Sequence, residues 1–377
     1  MSDRAPYLYK TTDYGNTWRR ITNGIGKHDY SWVIREDPVR QGLLYAGTES
    51  GANISFDAGD SWQSLQQNLP PVLVMHMVVK DDDLVIATHG RGFWIMDNIS
   101  ALRGITPDVV SAKTHLFEIV PTDRRLSGGR GWTRIKSLNV GQNPPRGVVI
   151  EYYLSQEPDS DMSLTIMEAD GEVIQQFSSQ SDNGPRAPAG AGTNRFIWDM
   201  RYPGNQLPLS AGALPEYKYY GAPARPVAPP GQYIALLTVD GQTVEQPFEI
   251  RRNPAAAASD ADLQAQFELM LDIRDRVKDV SDLVIKTREI RAGIAGLADA
   301  ETALRQLDDI EAILTMWMGS EAQPMMFGTP GLIQKLSRLS GAVIAADARP
   351  TASMYAVFAD RSERFELQRE RLQQIIR

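Results

Sequence analysis

Three residues in the first hundred have side chains that could contact a ligand, namely Glu49, His89 and Arg91. A carboxylate and an imidazole can move protons, and a guanidinium can bind an anionic group through paired hydrogen bonds. His89 precedes a Gly-Arg-Gly turn, where its ring could reach a ligand, although holding a hairpin together is the commoner role there. Glu49, Arg91 and Asp37 could line the rim of a channel. We predict no catalytic residue, because most charged residues on such loops are simply solvated.

The sequence predicts neither a metal site nor a cofactor. It has four histidines and no cysteine, and no two histidines have the spacing of a metal-binding helix motif. The run Asp81-Asp82-Asp83 could attract Ca²⁺. Three adjacent carboxylates in a hairpin turn are usually exposed to solvent, however, and a Ca²⁺ site needs about six or more oxygen ligands.

A short pattern occurs twice near the N-terminus and predicts two similar turns. Each copy reads x-Asp-x-Gly-x-Ser/Thr-Trp, with Thr11 or Ser55 two residues before the aspartate. The motif positions are Asp13, Gly15 and Trp18 in the first copy and Asp57, Gly59 and Trp62 in the second. We assign them structural roles: the aspartate accepts backbone N–H bonds, the glycine takes a positive φ, and the tryptophan packs between neighbouring sheets.

The spacing of the two copies is typical of a β-propeller blade. From Asp13 to Asp57 is 44 residues, and a period of about 40–45 suits one four-stranded blade. Asp97 falls 40 residues after Asp57 and marks a degenerate third copy. Residues 1–105 are therefore predicted to form the last two to three blades, whereas closed propellers use roughly 4–8. We expect the other blades to lie before Met1 on a longer parent chain.

A second β region with different turns is predicted over residues 112–252. Alternating strands are joined through Asp170-Gly171 and Asp240-Gly241, the strongest short signal for hairpins with type I′ turns. Trp198 is expected in the core. About seven short strands favour an immunoglobulin or fibronectin-III-like sandwich. Residues 203–231 are rich in Pro and Gly and are predicted to form a long loop.

The last part of the chain, residues 259–377, is predicted to be a four-helix antiparallel bundle. Ser259 with Asp262 resembles a capping box, and apolar residues then recur at helical spacing. The second helix is expected over about 298–318, the third over about 332–346, and Pro350-Thr351 opens the fourth. The predicted fold class is multidomain β plus α: partial propeller blades, a sandwich and a bundle.

Composition excludes several kinds of partner. The net charge of −8 argues against a nucleic-acid surface, which needs a basic footprint. No apolar run reaches the roughly 18 residues of a membrane-spanning helix. The first residues lack the basic and apolar regions of a signal peptide.

The repeated pattern resembles the Asp box, or bacterial neuraminidase (BNR) repeat, of sialidases, xyloglucan-degrading propellers and sortilin-type receptor propellers. Residues 87–97 resemble the last-blade signature of the bacterial BNR-repeat glycosyl hydrolases, also called sortilin-N-terminal-like proteins. Residues 192–204 resemble the sandwich that follows in that family, and residues 347–351 and 355–358 resemble its C-terminal helices. The resemblance covers nearly all of this chain but only the C-terminal part of the family.

The resemblance implies a large extracytoplasmic propeller protein, periplasmic or secreted, with a trailing sandwich and bundle. Sialidases of this kind use a Tyr–Glu nucleophile, an aspartic acid and three arginines contributed by several blades, so two to three blades cannot surround a sugar. We therefore predict a structural and protein-interaction role. Its partners would be the remaining blades and a protein or carbohydrate ligand.

Two alternatives stay open. The first is a glycoside hydrolase, sialidase-like or another exo-glycosidase, with its catalytic residues on the missing blades. The second is a peptide-binding, sortilin-like propeller. Whether the parent is an enzyme is not decided by the sequence, and catalysis is not expected from this chain alone.

Overall fold

The computed structural model describes residues 3–125, 143–182, 184–205, 223–297, 299–315 and 330–377. Residues 9–96 form three small antiparallel sheets, which we call units 1, 2 and 3. Unit 1 contains β1 (Tyr9–Lys10) and β2 (Arg19–Arg20); unit 2 contains β3 (Ser31–Glu36), β4 (Leu44–Thr48), β5 (Ala52–Ser55) and β6 (Gln63–Ser64); unit 3 contains β7 (Val74–Lys80), β8 (Asp83–Thr88) and β9 (Phe93–Met96).

The three units pack face to face, and unit 2 lies in the middle. Its central strand β4 is buried at every residue. Leu44 and Ala46 pack with Ile21 of unit 1, whereas Tyr45 packs into a core that includes Met77 of unit 3. Alternate residues of a strand point to opposite faces, so a strand buried on both faces must lie between two neighbours.

Two short helices that the sequence did not predict leave unit 3. The first, α1, covers Ser100–Gly104, and the second, α2, covers Pro107–Ser111. The hydroxyl of Thr106 accepts a bond from the N–H of Val109, and Pro107 occupies the first turn, which together favour a helix start. The Thr106-Pro107 pair in the sequence therefore indicates the start of α2.

The second β region consists of two sheets that enclose one core. The three-stranded sheet orders β10 (Thr114–Leu116), β12 (Val148–Leu154) and β15 (Gly192–Trp198); the five-stranded sheet orders β11 (Thr122–Asp123), β17 (Gln242–Arg251), β16 (Gly231–Val239), β13 (Ser163–Glu168) and β14 (Val173–Ser178). Only the short β11–β17 pair is parallel in this part of the described chain. Trp198 lies in the core, as predicted, with its ring edge-on to Tyr233 and Phe248. Of the predicted 203–231 loop, residues 206–222 lie outside the described chain.

The two Asp-Gly turns differ, and the type I′ prediction is wrong for one of them. Both Asp240 and Gly241 have positive φ, as a type I′ turn requires. At the other hairpin only Gly171 has positive φ, and the N–H of Glu168 bonds to the carbonyl of Glu172. The register shifts between Ile166 and Met167, so this longer turn is accommodated by an irregularity in the ladder.

Four helices make up the described C-terminal part. They are α3 (Asp260–Ile294), α4 (Glu301–Leu314), α5 (Leu332–Val343) and α6 (Ala352–Ile376). The predicted capping box is confirmed, because the Ser259 hydroxyl bonds the N–H of Asp262 and the Asp262 carboxylate bonds the N–H of Ser259. All four helices contribute to one apolar core. The predicted end of the second helix, at residues 316–318, lies outside the described chain.

The broad fold class predicted from the sequence is confirmed: mixed β-sheets are followed by C-terminal helices. Among the described helices, none combines the length and the apolar character needed to cross a lipid bilayer.

Candidate functional site

The first copy of the repeated motif forms a closed polar turn. The Asp13 carboxylate accepts bonds from the N–H and the hydroxyl of Thr17, at 2.8 and 2.7 Å, and from the Thr11 hydroxyl at 2.8 Å. Tyr14 and Gly15 both have positive φ. The bonds from Thr17 and Thr11 hold the pKa of Asp13 below its ordinary value, because they favour the charged form.

The second copy repeats this turn with different neighbours. Ser55 and Ser61 take the places of the two threonines and bond Asp57 at 2.7 and 2.5 Å. Burial opposes ionisation of Asp57, but the hydrogen bonds outweigh it and keep its pKa below the ordinary value. Gly59 is in close contact with Ile21, so a larger residue there would collide with unit 1.

The tryptophans of the two copies have opposite environments. Trp62 is 5 % exposed, and its indole N–H donates to the carbonyl of Ile21 in unit 1 at 2.8 Å. Trp18 is 60 % exposed, and its indole N–H donates to Gly15 in its own turn. The same motif position therefore docks one unit onto the preceding unit, while in unit 1 this face is open to solvent.

The third copy keeps only one of the two positive-φ residues of the turn and loses its polar bonds. Ile99, at the glycine position, has a φ of −90°, where Gly15 and Gly59 have 93° and 91°. Asn98 has a φ of 55°, close to the 59° of Tyr14 and the 57° of Ala58. The two hydroxyl positions of the motif are occupied by Ile95 and Ala101. Among the described residues, no side chain or backbone N–H donates a hydrogen bond to the Asp97 carboxylate.

Asp97 lines a cleft of about 500 Å³ between unit 3, residues 65–69 after β6 and the β12–β15 pair, which we call the Asp97 cleft. Its floor is apolar and is formed by the half-buried Trp94 and Met96, whose cross-strand neighbours Ile86 and Leu84 are buried. Amide and hydroxyl side chains also line the cleft, namely Gln66, Gln67, Asn68, Asn98, Thr193 and Asn194. Burial and the nearby Asp83 carboxylate raise the pKa of Asp97, and Arg195 offsets part of that rise. Proteins commonly bind small molecules in concave sites of this size, with a few polar groups set against an apolar wall.

An ion pair between Glu151 and Arg195 closes the other side of the Asp97 cleft. The two residues lie directly opposite each other on β12 and β15, and Arg195 Nε donates to Glu151 Oε1 at 2.8 Å. Arg195 Nη2 also donates to the carbonyls of Asp97 and Asn98 at 3.2 Å. Burial raises the pKa of Glu151, and the guanidinium opposes this rise. Arg195 thus ties the second β region to the end of unit 3.

The three ligand candidates from the sequence do not line the Asp97 cleft. Glu49 accepts a bond from Arg4 at 2.7 Å on the loop between β4 and β5. His89 and Arg91 lie on the exposed loop between β8 and β9, where the N–H of His89 bonds the carbonyl of Leu73. The loops occupy equivalent positions in units 2 and 3, but nothing in the described geometry joins these side chains in one site.

Asp37 is buried and has a structural environment instead of a rim position. It bonds Arg103 Nε through both carboxylate oxygens at 3.0 Å and accepts the N–H groups of Val39 and Arg40. In the triple-aspartate run, Asp82 also pairs with Arg103, and Asp83 accepts the N–H of Asn98. These contacts fasten α1 to units 2 and 3.

A carboxylate trio lies apart, on the β13–β14 hairpin. Glu168, Asp170 and Glu172 have oxygens within 4.8 Å of one another, and Glu168 accepts a hydrogen bond from the Tyr202 hydroxyl at 2.5 Å. Asp170 and Glu172 are exposed. Exposed acidic groups of this kind are common without a bound ion, so the trio by itself does not indicate a metal site.

One feature of the sequence indicates the ion pair between Glu151 and Arg195. Glu151 interrupts an otherwise apolar and aromatic run, Val148–Leu154. A charged residue in a buried strand needs a partner, because leaving it unpaired costs several kcal/mol (roughly 3–5). Arg195 has the matching place in β15, but only the register of the two strands identifies it.

Comparisons with known proteins do not assign the chain to a family. The chain matches no protein-family model and no curated protein. Among solved structures it is similar to the extracellular domain of a putative hybrid two-component system from B. thetaiotaomicron, with 10% identity and a TM-score of 0.21. That match covers 66% of this chain and 29% of the other one. A likeness this weak carries no argument, so the resemblance to Asp-box proteins rests on the motif residues.

The motif turns at Asp13 and Asp57 and the Asp97 cleft differ in their capacity to bind a ligand. The two intact motif turns are internally satisfied and leave little capacity to bind a ligand. The Asp97 cleft combines a carboxylate without a hydrogen-bond donor, an ion pair and an apolar floor with a tryptophan. It is suited to binding, and it is the candidate site that the described residues provide.

Proposed function

We propose that this chain is a structural and interaction part of a larger Asp-box propeller protein, in which units 1–3 are consecutive blades. The observation that carries the proposal is that the stack of units is apolar and open at both ends. Each internal face between units is covered by its neighbour, and the Trp62 contact with Ile21 shows how such a face is covered. Further units of the same kind would cover both ends.

The open face of unit 1 is aromatic. Tyr7, Tyr9, Tyr14 and Trp18 are all at least half exposed. Exposed aromatic residues clustered on one face of a monomer usually mark an interaction surface. By analogy with Trp62, the Trp18 position is where a preceding unit would be contacted.

The open face of unit 3 is also apolar. Phe93 and Ile95 are 79 % and 57 % exposed on β9, and Val78 on β7 lies on the same face of the sheet, cross-strand from Val85. The equivalent strand of unit 2, β5, is paired on its outer edge by β6, whereas β9 has no such partner among the described strands. A further strand or unit would bury this face and edge.

The second β region and the helices are proposed to brace the propeller. Its two sheets, ordered β10-β12-β15 and β11-β17-β16-β13-β14, are the kind of arrangement expected for an immunoglobulin or fibronectin-like sandwich. The Arg195 contacts with Asp97 and Asn98 support docking of this sandwich onto unit 3. The four helices would form the trailing bundle, and an extracytoplasmic location remains part of the proposal.

The hydrolase alternative has less support. Hydrolysis of a glycoside usually needs two carboxyl groups that are free to act across the sugar. In the Asp97 cleft, Glu151 is engaged by Arg195, which leaves Asp97 without a second available acid among the lining residues. The peptide-binding alternative would need channel residues from additional units.

The proposal is tested by the association state of the whole chain. Two open faces on one molecule favour head-to-tail association, so light scattering coupled to size-exclusion chromatography should show a concentration-dependent increase in mass. Trp18→Ser combined with Tyr9→Ser should reduce it, and so should Phe93→Ser combined with Ile95→Ser. Val173→Ser, at an exposed valine on β14, is the control and should change nothing. A wild-type chain that stays monomeric at all concentrations would contradict the proposal.

A further inference from the structure

We propose that the Asp97 cleft binds a cationic group carried on an aliphatic stem, such as a lysine or arginine side chain of a peptide or a free alkylamine. This inference does not depend on the propeller proposal. It rests on the charge, shape and hydrogen bonding of one cleft whose lining residues are all described.

Asp97 differs in hydrogen bonding from the two aspartates at the same motif position. The carboxylate oxygens of Asp13 and Asp57 accept hydrogen bonds from hydroxyl and N–H groups of their own turns. At Asp97 the hydroxyl partners have been replaced by Ile95 and Ala101, while the left-handed residue that follows is kept. The Asp97 carboxylate therefore has its hydrogen-bond acceptor capacity unused among the described residues.

The charge of the residues that line the Asp97 cleft favours a cationic ligand. Asp97, Glu151 and Arg195 are the charged residues that line the cleft, so its net charge is −1 when all three are ionised. Arg195 is already neutralised by Glu151. The Asp83 carboxylate lies close enough to Asp97 to act on it and makes the surroundings more negative. An anionic ligand would face these carboxylates, whereas a cation would compensate Asp97.

The apolar floor beside the Asp97 carboxylate suits the aliphatic stem of such a ligand. Met96 offers contacts to a methylene chain, and Trp94 adds an aromatic ring. Lysine and arginine side chains bury their stems against apolar surface while the charged end meets a carboxylate. A cation near a tryptophan ring is further stabilised by the ring quadrupole.

The experiment uses the whole chain and three defined probes. They are the peptide acetyl-Gly-Lys-Gly-amide, the same peptide with norleucine in place of lysine, and n-butylammonium. Binding is measured by isothermal titration calorimetry and by saturation-transfer NMR. The lysine peptide should bind, and the norleucine peptide, which has the stem without the charge, should bind at least tenfold more weakly.

The variant Asp97→Asn removes the charge and keeps the shape of the side chain. We expect it to lower affinity for the cationic probes at least tenfold, with an unchanged thermal midpoint. Asp159→Asn, at an exposed aspartate outside the cleft, makes the same change in net charge and should bind like the wild type. Equal binding of butylammonium and the lysine peptide would identify a free amine as the ligand, and tighter binding of the peptide would identify a peptide side chain.

Three results would overturn the inference. They are no binding of either cationic probe at millimolar concentration, equal binding of the lysine and norleucine peptides, and unchanged affinity in Asp97→Asn. None of these results depends on whether the chain self-associates, so a failure here is distinguishable from a failure of the propeller proposal.

Discussion

The stack of units 1–3 and the region that follows it bury their apolar surfaces in different ways. In the stack, the interior faces are covered only by the next unit, and the two outer faces expose Trp18 at one end and Phe93 at the other. In the later region, two sheets enclose a common core and four helices enclose another. The stack leaves an apolar face uncovered at each end, whereas the later region encloses its two cores.

The later region is also joined internally by a buried polar cluster. Arg124 is 1 % exposed, donates to the carbonyl of Ala228 and to Gln266 of α3, and pairs with Asp347 in the connection between α5 and α6. Gln266 in turn donates to the carbonyls of Val343 and Ala346. One arginine thus links the five-stranded sheet to α3 and to the connection between α5 and α6. In the stack, the links between units are spread over separate contacts: Trp62 bonds Ile21 between units 1 and 2, and Arg103 pairs with Asp37 beside unit 2 and with Asp82 of unit 3.

The largest effect is expected from breaking the Arg124 cluster. Arg124→Met keeps much of the volume but leaves Asp347 buried without its partner, which should cost about 3–5 kcal/mol. Urea unfolding followed by far-ultraviolet circular dichroism measures the loss in the helical part. Arg124→Met combined with Asp347→Leu removes both charges and should recover a large share of the stability. A single variant as stable as the wild type would show that this pair does not join the two parts.

The next effect separates the two motif tryptophans. Trp62→Ala should destabilise the stack by about 3 kcal/mol, because it leaves a cavity between units 1 and 2 and removes the bond to Ile21. Trp18→Ala should cost less than about 0.5 kcal/mol, because that ring is mostly exposed. Thermal unfolding of the two variants gives the comparison directly. Equal losses would mean that unit 1 is covered in solution.

A smaller contrast is expected between aspartates at the same motif position. Asp57→Asn should cost about 1–2 kcal/mol, since an amide cannot accept the same bonds from Ser55 and Ser61. Asp97→Asn should leave stability unchanged or raise it by about 0.5 kcal/mol or less. The pKa of Asp97 is higher in the folded chain than in the unfolded one, so its ionisation at neutral pH weighs against folding. Chemical unfolding at neutral pH measures both variants, and a destabilised Asp97→Asn would contradict this account.

The smallest effect is a pH dependence of the stack. The pKa of Asp57 is depressed by folding, so the stability that it contributes is present above the ordinary aspartate pKa of about 4 and is lost as the pH falls through the folded value. The unfolding midpoint of the stack should therefore fall on acidification below about pH 4. Asp57→Asn should flatten this fall, and Asp159→Asn should not. An identical profile in Asp57→Asn would assign the acid sensitivity to other carboxylates.

Much of the local structure followed from the sequence alone. The Asp-x-Gly spacing predicted the two turns because the bonds that hold them join residues no more than four apart. The Ser259 capping box and the periodic apolar residues after it predicted the start of α3 for the same reason. The hairpin at Asp170-Gly171 was predicted, but the predicted type I′ turn is wrong. A bulge in the ladder changed the number of residues in the turn.

The tertiary structure alone decided which of these similar residues differ in role. Trp18 and Trp62 have the same motif position, and only the packing of unit 2 on unit 1 buries the second and leaves the first exposed. Asp97 became a binding candidate because β12 and β15 bring Glu151 and Arg195 against unit 3. Arg124 and Asp347 lie 223 residues apart, and their pairing depends on how sheet and helices pack. Short-range patterns in a sequence encode turns, caps and periodic faces, but contacts between distant segments depend on the whole arrangement of the chain.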